Sequence, residues 1–392
     1  QLNKLAGSKT VHYAADDPGN PIKASIKKAY EYSDCWVDDA RLVIANAIGA
    51  RERGAEILTR TRCVSAKREN DAWKITLQCQ QSGATREIAA KALVNAAGPW
   101  SQHFIEKHMK AQSPRKLRQI KGSHIIVPRL YAGDHAYILQ CEDQRIVFVI
   151  PFFENYSVIG TTDCEYKGDL NKVSIDENEI NYLLKVVNDH FKVEVNRSHI
   201  ISTYSGVRPL CDDESTSPSA ITRDYTLDIA DQDGVAPILN IFGGKLTTYR
   251  RLAESALVKL APYFPAMTAA WTANACLPGG DIPNEDFPAF QREMQLHYPW
   301  VPVAMINRLC RQYGTRMHKL LDGALALTDL GICFGQDLYE KEVNYLCEHE
   351  WARTVEDIIW RRTKLKLALN ANEIEALANY LNPAPKAFSP AA

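Results

Sequence analysis

The sequence predicts a mixed α/β (α+β) protein with two or three packed units, and three features support this prediction. Its 392 residues, 46% of them hydrophobic, are enough for several cores at about 150 residues each. Alternating and β-branched residues predict a strand meander over 56–96 and a separate antiparallel sheet over 122–163. From about residue 281 the pattern becomes helical and predicts a C-terminal helical domain.

The N-terminal part of the chain predicts a connector followed by a helix. Residues 1–32 combine turn formers with a basic stretch and show no pattern typical of a core, so we expect a surface connector. Residues 37–54 predict a helix, with Asp38 near its start and Gly54 at its end. Its apolar positions suggest that this helix packs on a sheet.

Later elements are marked by capping boxes and by a glycine turn. Ser174 and Glu177 predict the start of a helix whose apolar stripe ends at Phe191. A strand at 236–242 leads through a glycine turn into a helix at 247–260. In the C-terminal domain, capping boxes are predicted at Thr354 with Asp357 and at Asn372 with Glu375.

Charge and composition exclude several classes of protein. The formal net charge of -1 provides no general field for nucleic acid or anionic lipid. The longest apolar run, 146–153, is far shorter than the roughly 20 residues of a membrane-spanning helix. The 10 cysteines show no CxxC spacing and predict reduced thiols in a cytoplasmic setting. Because the first residue is Gln1, we expect the chain to begin inside a larger protein.

The glycine turn is the first candidate for binding chemistry. Gly243, Gly244, Lys245, Leu246 and Thr247 precede a predicted helix, whose N-terminal N–H groups can hold an anion or an electron-rich oxygen. Lys245 adds a mobile cation. An ordinary left-handed turn between a strand and a helix explains the same spacing equally well.

Two arginines are the second candidate. Arg208 lies between Val207 and Pro209, and we expect the restricted backbone to fix the direction of its guanidinium. Arg223 is a second candidate, and both arginines near Lys245 would suit a small phosphorylated substrate. A surface ion pair is the alternative interpretation for either arginine taken alone.

Small residues at a strand exit are a third candidate. The segment from Val94 to Trp100, with Ala97 and Gly98, is a place where the backbone of a cofactor could approach closely, or a plain strand exit. We expect no structural metal, because the spacing of His103 and His108 does not match a zinc helix. No GxSxG, P-loop or GxGxxG motif is present in the sequence.

Five longer motifs, taken in order, resemble one enzyme family. They are EYSDCWVDDARL at 31–42, KGSH at 121–124, GTTD at 160–163, SGVRPL at 205–210 and GGKLTTY at 243–249. The sequence WRRTK at 360–364 in the helical region fits the same pattern. The chain is thereby similar, over nearly its whole length, to the aerobic FAD-dependent glycerol-3-phosphate dehydrogenases.

The resemblance implies a D-amino-acid-oxidase-like flavoprotein. Its discontinuous FAD domain would comprise 33–100 and 205–262, its antiparallel substrate domain 101–204, and its helical C-terminal cap 281–392, after the connector 1–32. The implied reaction is oxidation of sn-glycerol 3-phosphate to dihydroxyacetone phosphate, with hydride transfer to FAD and electrons passed to a quinone. The resemblance also implies a cytoplasmic protein, peripheral on the inner face of the cell membrane, with a homodimer as an option and no nucleic-acid partner.

The resemblance also implies roles for individual residues. Arg208 would hold and polarise the reacting oxygen, Arg223 would bind the phosphate, and Lys245 would lie beside the flavin and the substrate. The cofactor contacts implied by the resemblance are Val64 at the adenine, Ala97, Gly98 and Trp100 along the cofactor, and Gly243, Gly244, Lys245, Leu246 and Thr247 at the flavin edge.

One part of the family pattern is missing from the printed sequence. The family begins with a strand, a GxGxxG turn and a helix that bind the FAD pyrophosphate. We therefore expect an N-terminally truncated chain, and a catalytically inactive remnant without FAD is an alternative. A sister flavin oxidase acting on an amine or amino acid is a further alternative, which the paired arginines disfavour because they suit phosphate better than a lone carboxylate.

Overall fold

The computed structural model describes residues 6–13, 20–211 and 224–382, and these fall into two compact units. The first unit contains the described residues of Gln1–Cys35 and Thr61–Ala269, and the second those of Trp36–Arg60 and Ala270–Ala392. Within the described ranges, no helix has both the length and the apolar character needed to cross a membrane.

The central sheet of the first unit is antiparallel and has six strands. Its longest strand, β7, pairs along its length with β12 on one side and with β10 on the other, and β10 continues through β9 to β8. The strands are β7 (Leu117–Pro128), β8 (Tyr137–Gln140), β9 (Ile146–Phe152), β10 (Tyr156–Gly160), β11 (Cys164–Glu165) and β12 (Ser202–Cys211). The predicted antiparallel sheet over 122–163 is therefore present and is extended by β12.

Helix α3 (Glu177–His190) covers one face of this sheet. Its residues Leu183 and Val187 pack with Ile125 and Ile159 in the largest core of the first unit. The predicted capping box at Ser174 and Glu177 is wrong by two residues, because Asp176 is the N-cap and Glu179 completes the box. The side chains of Asp176 and Glu179 accept hydrogen bonds from the free backbone N–H groups at the start of α3, as the predicted pair would have done.

Two smaller sheets complete the first unit. One has the order β13-β14-β6 and the other the order β3-β4-β5. The predicted strand 85–96 is divided, because β5 stays in the meander whereas β6 pairs in parallel with β14. The strands are β3 (Thr61–Glu69), β4 (Ala72–Cys79), β5 (Thr85–Ala90), β6 (Leu93–Asn95), β13 (Tyr225–Gln232) and β14 (Val235–Gly243). A short helix, α2 (Ser101–His103), follows β6, and α4 (Tyr249–Leu260) follows β14.

The predicted connector is more ordered than its composition suggests. Strands β1 (Lys9–His12) and β2 (Lys28–Glu31) pair antiparallel. Ile22 is 2% exposed and packs in the same core as Phe191, so this stretch contributes an apolar side chain as well as surface. The composition of turn formers did not reveal either contact.

The second unit is helical, as predicted for the C-terminal part. It contains α1 (Asp39–Arg51), α5 (Phe287–His297), α6 (Val303–Tyr313), α7 (Met317–Leu321), α8 (Glu340–His349) and α9 (Ala371–Leu381). The helix predicted at 37–54 is α1, but it packs with these helices and not on a sheet. Arg41 forms an ion pair with the buried Glu350, and Lys364 forms one with Asp38, and these long-range pairs fix its place.

Candidate active site

The floor of the candidate site is one face of the paired strands β7 and β12. Gly122 lies directly opposite Gly206, and His124 lies opposite Tyr204. Because side chains alternate along a strand, these residues and Arg208 share one face of the sheet. A Cβ atom on Gly206 would meet nothing within 4 Å. Gly206 thus leaves open space beside the His124–Tyr204 pair, whereas the space above Gly122 is taken by the side chains of Thr161 and Arg208.

Arg208 is held in place at one edge of this space. Its Nη1 forms an ion pair with Asp163, and its Nη2 donates to Thr161 Oγ1 at 3.2 Å. A Cβ on Gly122 would lie 2.9 Å from Arg208 Nη2, so a glycine is needed where the guanidinium crosses β7. Because arginine has five N–H donors, the guanidinium retains donors for a ligand oxygen.

A buried polar network on the opposite face supports the loop that orients Arg208. Glu179 Oε1 accepts hydrogen bonds from Thr162 Oγ1 at 2.6 Å and from Ser123 Oγ at 2.9 Å. Lys121 Nζ lies 2.8 Å from Glu179 Oε2. The side chain of Glu179 is 3% exposed, and its charge is balanced inside the protein. The network therefore fixes Thr162, the residue between the two partners of Arg208.

His124 is a candidate that analysis of the residues did not single out. Its ring stacks on Tyr204 with centroids 4.6 Å apart and an interplanar angle of 6°. Burial, and to a lesser extent the charge of Arg208, lowers the pKa of His124 to about 4. The ring is therefore neutral near pH 7, and one of its ring nitrogens can accept a hydrogen bond. In the sequence, the KGSH motif at 121–124 was the feature that could have indicated His124, but no role was predicted for its histidine.

Gly160 and the orphaned ring nitrogen complete the surroundings of His124. A Cβ on Gly160 would lie 2.1 Å from the His124 ring, so the ring occupies the space of the absent side chain. Within the described part of the chain, the buried Nδ1 of His124 has no hydrogen-bond partner. A buried ring nitrogen without a partner is rare and marks the position as a functional candidate.

We expect stability to depend on pH through His124. The unfolded chain binds a proton near the ordinary pKa of 6.5 and the folded chain only near 4. The contribution is therefore fully present above pH 6.5 and is lost as the pH falls towards 4. Between pH 7 and pH 5 the wild-type protein should lose about 2 kcal/mol more unfolding free energy than His124→Asn. Urea unfolding at both pH values measures this difference, and equal losses in the two proteins would contradict it.

The glycine turn lies next to the strand that carries Arg208. Gly243 and Gly244 have φ values of 73° and 104°, which favour glycine. A Cβ on Gly243 would lie 3.7 Å from the carbonyl oxygen of Pro209, so the turn and β12 are neighbours. The structure therefore brings the turn close to the strand that carries Arg208.

The helical segment after this turn starts without a side-chain cap. A 3-10 turn over Leu246–Thr248 leads into α4, and no side chain caps either start. The first N–H groups of such a segment have no partner within it. Lys245, Leu246 and Thr247 are exposed, so a ligand can reach these donors.

The exit of β6 contacts the first part of β7. A 3-10 turn covers Gly98–Trp100 and follows Ala97. Gln119 on β7 donates through Nε2 to Pro99 O at 2.9 Å, whereas its buried Oε1 has no partner among the described residues. Trp100 is 41% exposed. These contacts link the predicted cofactor segment to the strand that carries His124.

One further predicted residue, Val64, is not brought into this cluster. Val64 lies at a register irregularity of β3, and its carbonyl oxygen is 2.9 Å from His108 Nδ1. Arg223 lies outside the described residues, so its predicted role at a phosphate stays a prediction.

Comparisons with known proteins extend over nearly the whole chain. The family described as FAD dependent oxidoreductase matches residues 12–249, and the C-terminal domain of alpha-glycerophosphate oxidase matches residues 270–383. A glycerol-3-phosphate dehydrogenase of Pseudomonas tolaasii is 53% identical over 97% of this chain and 73% of its own length. A D-erythritol 1-phosphate dehydrogenase of Brucella abortus is 46% identical over 97% of this chain and 76% of its own length.

A solved structure shares the fold. The glycerol-3-phosphate dehydrogenase from Bacillus halodurans, complexed with FAD, matches with a TM-score of 0.75 and 24% identity, covering 94% of this chain and 76% of that chain. The predicted D-amino-acid-oxidase-like fold with a helical C-terminal domain is confirmed. The chain therefore belongs to the FAD-dependent oxidoreductases and, within them, to the glycerol-3-phosphate dehydrogenase family.

Proposed function

We propose that the chain oxidises sn-glycerol 3-phosphate to dihydroxyacetone phosphate, with FAD as the hydride acceptor. The observation that carries the proposal is the juxtaposition of an oriented Arg208 and a neutral His124 across a glycine floor, in a chain 53% identical to a glycerol-3-phosphate dehydrogenase. A quinone as final electron acceptor, peripheral membrane association and a homodimer belong to the proposal through the family resemblance alone.

The residues present fit the flavin end of FAD. The left-handed Gly243–Gly244 turn and the uncapped start of the following helical segment offer backbone donors to an electron-rich ring edge. Ala97, Gly98 and Trp100 are proposed as further cofactor contacts through the family resemblance. Bound FAD supplies the acceptor for the hydride that leaves the carbinol carbon. The printed sequence holds no GxGxxG turn for the pyrophosphate, so the fit concerns the ring end.

Arg208 and His124 have different proposed roles at the reacting alcohol. The guanidinium of Arg208 holds the reacting oxygen through donors that Asp163 and Thr161 leave available. Neutral His124 accepts the hydroxyl proton on a ring nitrogen as the C–H bond releases its hydride, so that a ketone forms. Partial burial lowers the pKa of the ring, which keeps it neutral near pH 7.

Lys245 is proposed to offset negative charge on the phosphate or on the reduced flavin ring, and Arg223 is proposed to bind the phosphate. Lys245 is exposed at the helix start, where its cation can offset either negative charge. Arg223 is assigned to the phosphate because a guanidinium fork can bind two oxygens of one phosphate. Val64 is kept as a proposed adenine contact.

A second candidate substrate is D-erythritol 1-phosphate. The observation that favours it is the 46% identity to a D-erythritol 1-phosphate dehydrogenase over 97% of this chain. Both compounds are phosphomonoesters of a polyol, so the same cationic groups would hold either one. The size of the open space beside β7 and β12 would then determine whether the shorter glycerol ester or the longer erythritol ester is the better substrate.

Anaerobic reduction of the flavin tests the proposal. The purified protein is loaded with excess FAD, separated from free flavin, and mixed with sn-glycerol 3-phosphate, D-erythritol 1-phosphate or sarcosine. We expect the flavin band to bleach fastest with sn-glycerol 3-phosphate. Faster bleaching with the erythritol ester would select the second candidate, and bleaching with sarcosine alone would select an amine oxidase. Failure to retain flavin would support the inactive remnant.

A further inference from the structure

A cleft in the second unit carries a cluster of arginines that the proposed reaction does not use. The cleft has a volume of about 430 Å³. It is called the arginine cleft here and is lined by Arg60, Trp351, Asp357, Arg361 and Arg362, together with Thr59, Thr354 and Glu356. This volume lies within the range of sites for small organic ligands.

Cations outnumber carboxylates at the arginine cleft. Its lining holds three arginines against Glu356 and Asp357, and Glu356 also has Lys366 as an ion-pair partner at 3.3 Å. The lining alone has a formal charge of +1, and Lys366, which lies outside the lining, raises the local formal charge to +2. A phosphate ester carries about -1.5 to -2 near pH 7 and would neutralise this excess.

Asp357 leaves two of the arginines with donors to spare. Its Oδ2 accepts from Arg60 Nη2 at 2.6 Å and from the backbone of Arg353 and Thr354. Its Oδ1 lies 3.8 Å from Nη1 of both Arg361 and Arg362, which is beyond hydrogen-bond distance. The Nη1 groups of these two arginines therefore remain available for another acceptor.

Arg362 has a further unused donor in a buried position. Its side chain is 11% exposed, its Nη2 donates to Glu350 O at 2.6 Å, and its buried Nε has no partner among the described residues. Burial lowers the pKa of Arg362. A buried charged group is costly, and an anion held by the Nη1 group of Arg362 would offset part of that cost.

We propose that the arginine cleft binds a small phosphate-bearing ligand. Arg361, which is 54% exposed, would meet the phosphate at the mouth, and Arg362 would meet it from within. The +2 excess matches a phosphomonoester better than a monocarboxylate, and the volume leaves room for an organic body beside the Trp351 ring. The site belongs to the second unit and is independent of the redox reaction proposed above.

Phosphate titration tests the proposal without flavin or substrate. Inorganic phosphate is titrated into the purified protein by calorimetry at constant ionic strength, with chloride as the reference anion, and tryptophan fluorescence serves as a second readout. Arg361→Ala should bind phosphate about tenfold more weakly, because a charge-assisted hydrogen bond is lost at an exposed position. Arg353→Ala is the matched control, since this exposed arginine does not line the cleft and should leave the affinity unchanged.

A vesicle arm separates the possible sources of the phosphate. Phosphatidylglycerol vesicles present the same phosphate oxygens as a lipid headgroup. Binding of free phosphate that is weakened by Arg361→Ala assigns a soluble ligand, and vesicle binding alone that is weakened by the same change assigns a headgroup. The proposal is overturned if Arg361→Ala and Arg353→Ala behave alike in both arms, or if the wild-type protein distinguishes neither phosphate nor these vesicles from chloride.

Discussion

Arg208→Ala is expected to lower kcat/KM for sn-glycerol 3-phosphate by about 10³-fold, since removal of one preorganised donor from a reacting oxygen typically costs 10² to 10³. The effect should be large because Asp163 and Thr161 fix the guanidinium, and a water molecule cannot reproduce its position. The loss should appear mainly in kcat, because the oxygen gains charge only as the bond changes. Steady-state kinetics with a dye acceptor measures this loss.

Two variants separate catalysis from folding in this experiment. Arg208→Lys keeps a positive charge but loses the fork, so it should recover only part of kcat. Arg115→Ala removes an exposed arginine that pairs with Asp228 in the same unit, and it should behave as the wild type. Flavin content is measured in all variants. An Arg208→Ala protein with normal kcat would remove Arg208 from the site, whatever its effect on KM.

The sequence predicted the parts of the site that depend on local chemistry. A glycine turn between a strand and a helix, and an arginine before a proline, are visible as short patterns, and the structure places the turn at the end of β14 and the arginine on β12. The large antiparallel sheet was also predictable, because β-branched alternation and turn residues are local signals. Sequence order alone placed these motifs within one family.

Register was the part of the site that could not be read from the sequence. Gly122 and Gly206 are 84 residues apart in sequence, and only the pairing of β7 with β12 places them opposite each other. A shift by one residue would turn these side chains to the opposite face of the sheet. The role of His124 depends on this register, because its neighbours Tyr204 and Gly160 come from two different strands.

Long-range charge pairs caused the remaining differences from expectation. The helix at 39–51 has only a weak amphipathic pattern, with Ile44, Ile48 and Gly49 buried, and such a pattern does not specify whether the helix packs on a sheet or on other helices. The bidentate pair of Arg41 with Glu350 connects residues 309 positions apart and decides the packing. The capping box of α3 also differs from the predicted one. Glu179 completes it in place of Glu177, and the same carboxylate pairs with the buried Lys121.

Glu179→Leu is expected to destabilise the protein by about 3–5 kcal/mol, the usual cost of breaking a buried ion pair from one side. Lys121, with a side chain 8% exposed, would lose its closest carboxylate, and the hydroxyls of Ser123 and Thr162 would lose their shared acceptor. Asp176 at 3.1 Å offers Lys121 only a half-exposed substitute. Urea unfolding at pH 7 measures the loss.

Glu177, on the same helix, provides the control variant, and a double variant of Lys121 and Glu179 tests for rescue. Glu177 on α3 is 71% exposed and pairs with Arg197, so Glu177→Leu should leave the free energy of unfolding nearly unchanged. The double variant Lys121→Met/Glu179→Leu should be more stable than Glu179→Leu, because it leaves no unpaired charge inside. A Glu179→Leu protein as stable as Glu177→Leu would show that the network contributes little to folding.

Because Thr162 separates the two residues that hold Arg208, we expect kcat to fall as well in any Glu179 variant that folds.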